Sequence, residues 1–319
     1  MKYYMAPLEG VTTYVFRNAY HTYFQTMDKY FTPFIVPHKD KRFSTREQKE
    51  LSREHNYGLY VVPQLLTNHA EDFLITANKI VEEFGYQEIN LNLGCPSGTV
   101  VAKKKGSGFL AFPEELDRFL DGIFSKATFD ISIKTRIGKE EPEEFERILE
   151  IYNKYPLKEL IIHPRVQTDF YRNLPNWDVF EMACKNTSHP ICYNGDIFTT
   201  ENYHTFSKRF PTVECVMLGR GVVANPGLVN EISGKASVTN EQFRVFHDMI
   251  YEEYQRISSG ERNTLFKMKE LWSYWSKSFR ECEKLLKKIK KAEQLKKYEQ
   301  AVEEILETCS LIHTGDRYD

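Results

Sequence analysis

"LYVVPQLLTNHAEDFLITANKIVEEFGYQEINLNLGCP" spans residues 59–96 and reads as three elements in a row. An apolar run at 59–66 leads into a segment of helical periodicity at 69–85, and a second apolar run follows at 88–94. Two strands joined by a helical crossover run parallel. The same alternation extends in both directions. Further apolar runs lie at 3–7, 30–36, 130–138, 159–165, 190–197 and 214–221, and "PEELDRFLDGIFSKA" (113–127) is another helical connector. Eight strand candidates with helices between most of them match a (β/α)8 barrel; a doubly wound open sheet is the fold alternative.

The ends of these runs favour the barrel. Glu9, Gln64, Asn90, Asn92, Cys95, Lys134, Arg136, His163, Arg165, Asn194, Asp196, Gly219 and Arg220 all stand in or just after a run. Turn formation accounts for Asn and Asp there, but less well for a Lys, a His, a Gln and several Arg. In a barrel the C-terminal strand ends meet at one mouth, where such enzymes keep their sites.

After about residue 240 the pattern turns helical. The expected fold class is therefore α/β: a (β/α)8 TIM barrel over 1–240, then a small C-terminal helical bundle domain over 241–319. Residues 261–300 hold twelve Lys and Arg against six Asp and Glu, with Trp272, Tyr274 and Trp275 nearby. A lysine-rich helix can be a solvated face; a basic helix with interleaved aromatics also suits RNA.

The 319-residue chain is 41% hydrophobic and 14% aromatic, which argues against disorder, and its net charge of −2 excludes a general polycation. No apolar stretch has the length of a membrane span, and "MKYYMAPLEG" lacks a signal-peptide core. The six cysteines form no CxxC pair and no Cys/His cluster with metal spacing, so no metal is expected. A cytoplasmic protein with reduced thiols is expected, with monomer as the default state.

Two features carry chemistry. "MLGRGVVANPG" and "YNGDI" place Gly219, Arg220, Asn194 and Gly195 where barrels of this kind bind phosphate. Lys134 and Gln64 would suit the pyrimidine edge of a flavin, although barrel aldolases and isomerases also use a strand lysine. Cys95 stands between Gly94 and Pro96 directly after an apolar run. A turn needs no thiol there, but an acid–base step could use one.

Taken together, these residues resemble the tRNA-dihydrouridine synthase family. "MAPLEGVTTYVFR", "INLNLGCP" with "GSGFL", "IKTRIG", "IIHPR", "YNGDI" and "MLGRGVVANPGL" occur in the family's order, and "FKMKELWSYWSKSF" is similar to the start of its helical RNA-binding domain. The resemblance implies a flavin mononucleotide (FMN) enzyme that reduces a uracil base of tRNA, most commonly in the D-loop, with NADPH as electron source. It implies that Ala6, Pro7 and Leu8 lie against the flavin ring, with Leu8 where relatives usually carry Met. It also implies that Gln64 and Lys134 contact the ring and that His163 lies near the ribityl chain. Asn194, Gly195, Asp196, Gly219 and Arg220 would hold the phosphate. Asn92, Lys103, Arg136 and Arg165 would face the substrate, and Cys95 would be the proton donor. Where relatives often have Lys soon after Gly-Cys-Pro, this chain has "SGTV", and Pro164 and Val166 replace the usual residues around Arg165.

The implied reaction explains the thiol. Reduction of the C5–C6 bond of uracil adds a hydride at C6 and leaves an enolate that needs a proton at C5. An ordinary thiol, with a pKa of about 8.5, is still protonated at neutral pH, whereas a carboxyl group is already ionised. A flavin barrel oxidoreductase for a small molecule and a non-catalytic RNA-binding protein are the competing readings. The first has no use for a basic helical domain, and the second has no use for Cys95, Lys134 and Arg220 together.

Overall fold

Strands β1 (Lys2–Met5), β2 (Lys29–Phe31), β3 (Val61–Val62), β4 (Gln64–Leu65), β5 (Glu88–Leu93), β6 (Asp130–Arg136), β7 (Glu159–His163), β8 (Ile191–Tyr193) and β9 (Cys215–Leu218) follow the chain in a computed structural model that describes residues 1–24, 26–37 and 42–312. They lie in the order β3-β2-β1-β9-β8-β7-β6-β5-β4. The two ends of that order, β3 and β4, are separated only by Pro63. The proline lacks an N–H and interrupts the ladder, so one strand counts as two. Its carbonyl still accepts from the Asn90 amide at 2.8 Å. The order therefore closes on itself as an eight-stranded parallel barrel.

The helices between strands form because each buries one apolar stripe. Helix Ala70–Phe84 buries Phe73, Leu74, Ala77 and Ile80, and ends at Gly85 in the left-handed conformation, φ 71°. Helix Pro113–Phe124 begins on a proline and buries Leu116, Phe119, Leu120 and Ile123. With helices outside and side chains inside, β5 is buried along its whole length. The run at 30–36 is a strand only over Lys29–Phe31; past Pro33, Ile35 makes a single bridge to Leu65.

The chain forms two units. One comprises Met1–Pro7, Asp28–Asp196 and Phe210–Met217; the other comprises Leu8–Met27, Ile197–Arg209 and Leu218–Asp319. The second contains helices Tyr14–Phe24, Asn240–Ile257, Glu261–Trp275, Glu283–Lys291 and Leu295–Thr308. Its core is aromatic: Phe246 packs edge-on against Phe16 and Phe24, and Phe243 against Trp275. Trp272 and Trp275 are completely buried, and Trp272 Nε1 donates to the Tyr298 hydroxyl at 2.9 Å. These two indoles therefore build the bundle core and are not available to stack on RNA, contrary to the sequence expectation. Among the described residues no helix is long and apolar enough to cross a membrane.

Candidate active site

The site begins with strand register. Gln64 pairs with Asn90, Asn90 with Ser132, and Asn92 with Lys134. This brings four polar side chains of β4, β5 and β6 onto one face, where they form a continuous chain of hydrogen bonds. Asn90 Nδ2 donates to Ser132 Oγ at 2.9 Å, Gln64 Nε2 to Asn90 Oδ1 at 2.7 Å, and Asn92 Nδ2 to Gln64 Oε1 at 2.8 Å. Asn92 Oδ1 then accepts the backbone N–H groups of Gly94 and Cys95, both at 3.0 Å. Gln64 is completely buried, with its amide held between Asn90 and Asn92.

The Cys95 loop is tied from its other side by "GSGFL". Ser107 donates to the Cys95 carbonyl through its backbone N–H at 3.1 Å and its hydroxyl at 2.8 Å. Gly106 is left-handed, φ 55°, and a β-carbon there would come within 2.7 Å of that carbonyl. The thiol is thus carried on a loop anchored at both ends, and it keeps partial exposure.

Lys134, beside Asn92, is the electrostatic centre. Burial and the like charge of Arg136 push its ammonium down to about 8, against a smaller upward pull from Cys192 and Cys95. Among the described residues it has no carboxylate partner. An unpaired cation within electrostatic range of Cys95 suits a bound anion.

The two arginines expected to face the substrate are each tied into the protein. Arg136, almost completely buried, donates to three backbone carbonyls: Gly94 at 3.2 Å, Val166 at 2.7 Å and Phe170 at 2.5 Å. It braces the Cys95 loop against the loop after β7. Arg165, equally buried, forms a bidentate ion pair with Asp196 and also reaches His163 Nε2 at 2.9 Å and the Asn173 carbonyl at 2.5 Å. The Asp196 carboxylate faces a guanidinium, which is where a carboxylate is stable.

Asn194 Nδ2 donates to the Met217 carbonyl at 2.9 Å and so links β8 to β9. Gly195 has a local reason to lack a side chain: a β-carbon would sit 2.0 Å from the Tyr193 hydroxyl, which accepts from Trp177 Nε1 at 2.9 Å. Ala6 and Pro7 follow β1, and Leu8 begins the second unit, where its N–H donates to Thr12 Oγ1 at 2.8 Å. Gly219 follows β9 and precedes the short helix Arg220–Ala224; the Arg220 guanidinium lies 5.3 Å from the Phe198 ring centroid. Lys103 is exposed, and its carbonyl accepts from Asn68. Among the described residues no cluster of three or more His, Cys, Asp or Glu could hold a metal.

Sequence reading missed Ser132, which ends the hydrogen-bond chain, and Ser107, which ties the Cys95 loop. The glycines flanking Ser107 were the available signal for one of them.

Compared with known proteins, residues 4–315 fit the family described as Dihydrouridine synthase (Dus). The tRNA-dihydrouridine synthase B of Pasteurella multocida is 24% identical over 226 residues, which is 70% of this chain and 67% of that protein. A probable tRNA-dihydrouridine synthase of Staphylococcus aureus is 27% identical over 232 residues, 70% of this chain and 68% of that one. Among solved structures, morphinone reductase superposes with a TM-score of 0.51 at 13% identity, over 77% of this chain and 88% of that chain. A histamine dehydrogenase from Rhizobium sp. 4-9 does so at 0.54 and 11%, over 78% and 49%. These two likenesses establish the barrel fold. The family match covers nearly the whole sequence, and the chain belongs to the dihydrouridine synthase family.

Proposed function

We propose that this protein is an FMN-dependent tRNA-dihydrouridine synthase, which reduces the C5–C6 double bond of a D-loop uridine with NADPH as electron donor and Cys95 as proton donor. The observation that carries the reading is the pairing of a loop-anchored, partly exposed thiol with a lysine that has no anionic partner. That lysine fits a flavin, whose pyrimidine edge takes up negative charge. When bound and reduced by NADPH, FMN would supply the hydride for C6; the chain's own residues would bind and orient the base and deliver the proton.

Cys95 holds the proton for C5, and its loop geometry keeps that proton at a fixed place. By donor count, Asn92 has one amide N–H left after its bond to Gln64, enough to hold a carbonyl of the base. Arg136 and Arg165 act on the substrate indirectly, by fixing the loops that border it. Ala6, Pro7, Leu8, His163, Asn194, Gly195, Gly219 and Arg220 are assigned to the cofactor. Asp196 contributes by orienting Arg165, since a second anion would repel a phosphate.

A uracil stacked in folded RNA cannot reach a flavin in a barrel, so the base must be extruded and the rest of the tRNA gripped elsewhere. The barrel domain, 1–240, is assigned catalysis. The helical domain, 241–319, with exposed Lys103, is assigned phosphate contact. Helix Glu283–Lys291 carries Lys284, Lys287, Lys288, Lys290 and Lys291 on nine residues. The protein is proposed to act as a cytoplasmic monomer.

The test is an anaerobic assay with the full chain, FMN, NADPH and unmodified tRNA transcript. Dihydrouridine should appear in the D-loop, and tRNA should reoxidise the reduced flavin. Protein that turns over a small enone or dihydropyrimidine but leaves tRNA unmodified would overturn the proposal.

A further inference from the structure

We infer that Tyr171, with Phe170 beside it, is a stacking platform at the barrel mouth that receives one unpaired RNA base next to the target uridine. The inference rests on the tRNA reading above and names a contact which that reading does not contain.

The loop after β7 exposes apolar surface where a soluble loop would ordinarily be polar. Phe170 is 39% exposed, Tyr171 51% and Leu174 85%. Exposure of this kind in an unanchored loop would mean little. Here the backbone is held at many points. Arg136 binds the carbonyls of Val166 and Phe170, and Arg165 binds that of Asn173. The Asn176 N–H donates to the Pro164 carbonyl at 2.6 Å, and Asp169 accepts from the Val166 N–H at 3.2 Å and from the Asn173 side chain. Two buried guanidiniums thus fix a segment whose side chains point outward.

The backbone conformation makes the same point independently. Phe170 has φ 50° and ψ −94°, a region that a residue with a bulky side chain rarely adopts. A free loop would relax out of it. It persists because the Phe170 N–H donates to Gln167 and its carbonyl is held by Arg136. Strain maintained by surrounding structure is a mark of functional placement. Its effect here is to turn the chain sharply before Tyr171.

The Tyr171 ring is set at the mouth itself. It stacks on His163, the last residue of β7, with centroids 6.1 Å apart and planes at 29°. The guanidinium of Arg136, the last residue of β6, lies 5.3 Å from its centroid. A ring supported by an imidazole and a cation, and half exposed, can accept another flat ring. Every base offers a π-face, and extrusion of one nucleotide leaves its neighbours unstacked. Exposed Arg172 adds a positive charge next to the platform, as an RNA strand requires.

The test uses the full flavin-loaded protein, unmodified tRNA transcript and the variants Tyr171→Ala and Tyr171→Phe. Tyr171→Ala should weaken tRNA affinity and raise its KM by roughly 5- to 100-fold, the usual worth of one aromatic–base stack. Flavin content and flavin reduction by NADPH should stay within about twofold, because uniform binding is lost and not chemistry. Tyr171→Phe should keep tRNA affinity within about threefold of wild type, since the ring stacks and the hydroxyl only bonds back to Arg136. A wild-type protein that modifies tRNA beside an equally tight Tyr171→Ala would overturn the platform and leave the function standing. Loss of flavin from Tyr171→Ala would give the ring to the cofactor, and a Tyr171→Phe as weak as Tyr171→Ala would give the contact to the hydroxyl; either result overturns it. A wild type that neither binds nor modifies tRNA would overturn the functional reading and the platform with it.

Discussion

Lys29 and Lys134 belong to the same barrel and stand near opposite ends of its strands, yet their surroundings have nothing in common. Lys29 opens β2, and its ammonium lies 3.2 Å from both Glu88, which opens β5, and Glu159, which opens β7. Tyr4 donates to Glu159 at 2.8 Å and Tyr60 to Glu88 at 3.1 Å. Burial alone would lower the Lys29 pKa; the two carboxylates outweigh it and hold the group above its ordinary value. Lys134 is half-buried, and with no carboxylate beside it the loss of solvation and the like charge of Arg136 carry it the other way. A buried cation with two anions is a finished structural unit. A half-buried cation with none leaves its charge for a ligand to neutralise. One residue type thus marks the closed end of the barrel and its working end, and the discriminating fact is the partner.

The contrast is broken most severely through chemistry at the working end. Cys95→Ala should slow reoxidation of reduced flavin by unmodified tRNA by roughly 10²–10⁴-fold, the usual worth of a positioned general acid. Flavin reduction by NADPH should be near normal, because no proton is delivered to uracil in that half-reaction. Flavin content and unfolding midpoint should be unchanged. Single-turnover absorbance under anaerobic conditions measures both half-reactions. Reoxidation at the wild-type rate would remove Cys95 from the mechanism and leave Gly-Cys-Pro a structural turn.

At the closed end the expected loss is of stability, not rate. Lys29→Met leaves Glu88 and Glu159 buried together without their cation, and breaking such a unit costs about 3–5 kcal/mol. Lys134→Met removes an unpaired charge and should cost at most about 1 kcal/mol in ligand-free protein at pH 7. Urea unfolding of the two variants side by side measures the difference. Equal losses would mean that Lys134 has an anionic partner of its own and that the two ends are alike.

The sequence displays one of these ends and hides the other. The barrel is legible because alternation of strand and helix is a local property, readable in a window such as 59–96. The working end is legible for a related reason: Gln64, Asn92, Cys95 and Lys134 all fall late in an apolar run or just past it, and polar groups there are conspicuous. Lys29, Glu88 and Glu159 sit at the start of their strands, where a charge looks like an ordinary boundary. Only the register that stacks β2, β5 and β7 around one centre reveals that they meet. Arg165 and Asp196 are the same case, thirty-one positions apart in sequence and ion-paired in the fold. The aromatic helix Glu261–Trp275 shows the reverse error. Trp272 and Trp275 look like RNA contacts beside so many lysines, but their spacing puts both on the face that packs against Phe243. Periodicity identified the helix; tertiary packing decided which face was wet.

The smallest expected effect sharpens the comparison most, because it isolates the charge of Lys134. Its ammonium titrates near 8 in the folded chain, against an ordinary lysine value of 10.5 when unfolded. Between these values the unfolded state binds more protons than the folded state, so stability rises with pH across that interval. Below pH 8 both states are protonated, and the folded state bears the cost of a poorly solvated cation without a counter-charge. Ligand-free wild type should therefore gain about 1–2 kcal/mol on Lys134→Met as pH is raised from 7 to 9.5, allowing for the partial exposure of the side chain. Taking the difference between wild type and variant at each pH cancels every other titrating group, including the tyrosines. Lys29 supplies the opposite sign: its folded pKa is raised, so its contribution is fully present at neutral pH and declines only as the pH climbs past the ordinary lysine range. Adding reduced FMN under anaerobic conditions should flatten the Lys134 difference, since the reduced ring carries its negative charge at the pyrimidine edge that Lys134 would face. A pH-independent difference in ligand-free protein would show that Lys134 is solvated, and the mouth would then hold no unsatisfied charge for a cofactor to meet.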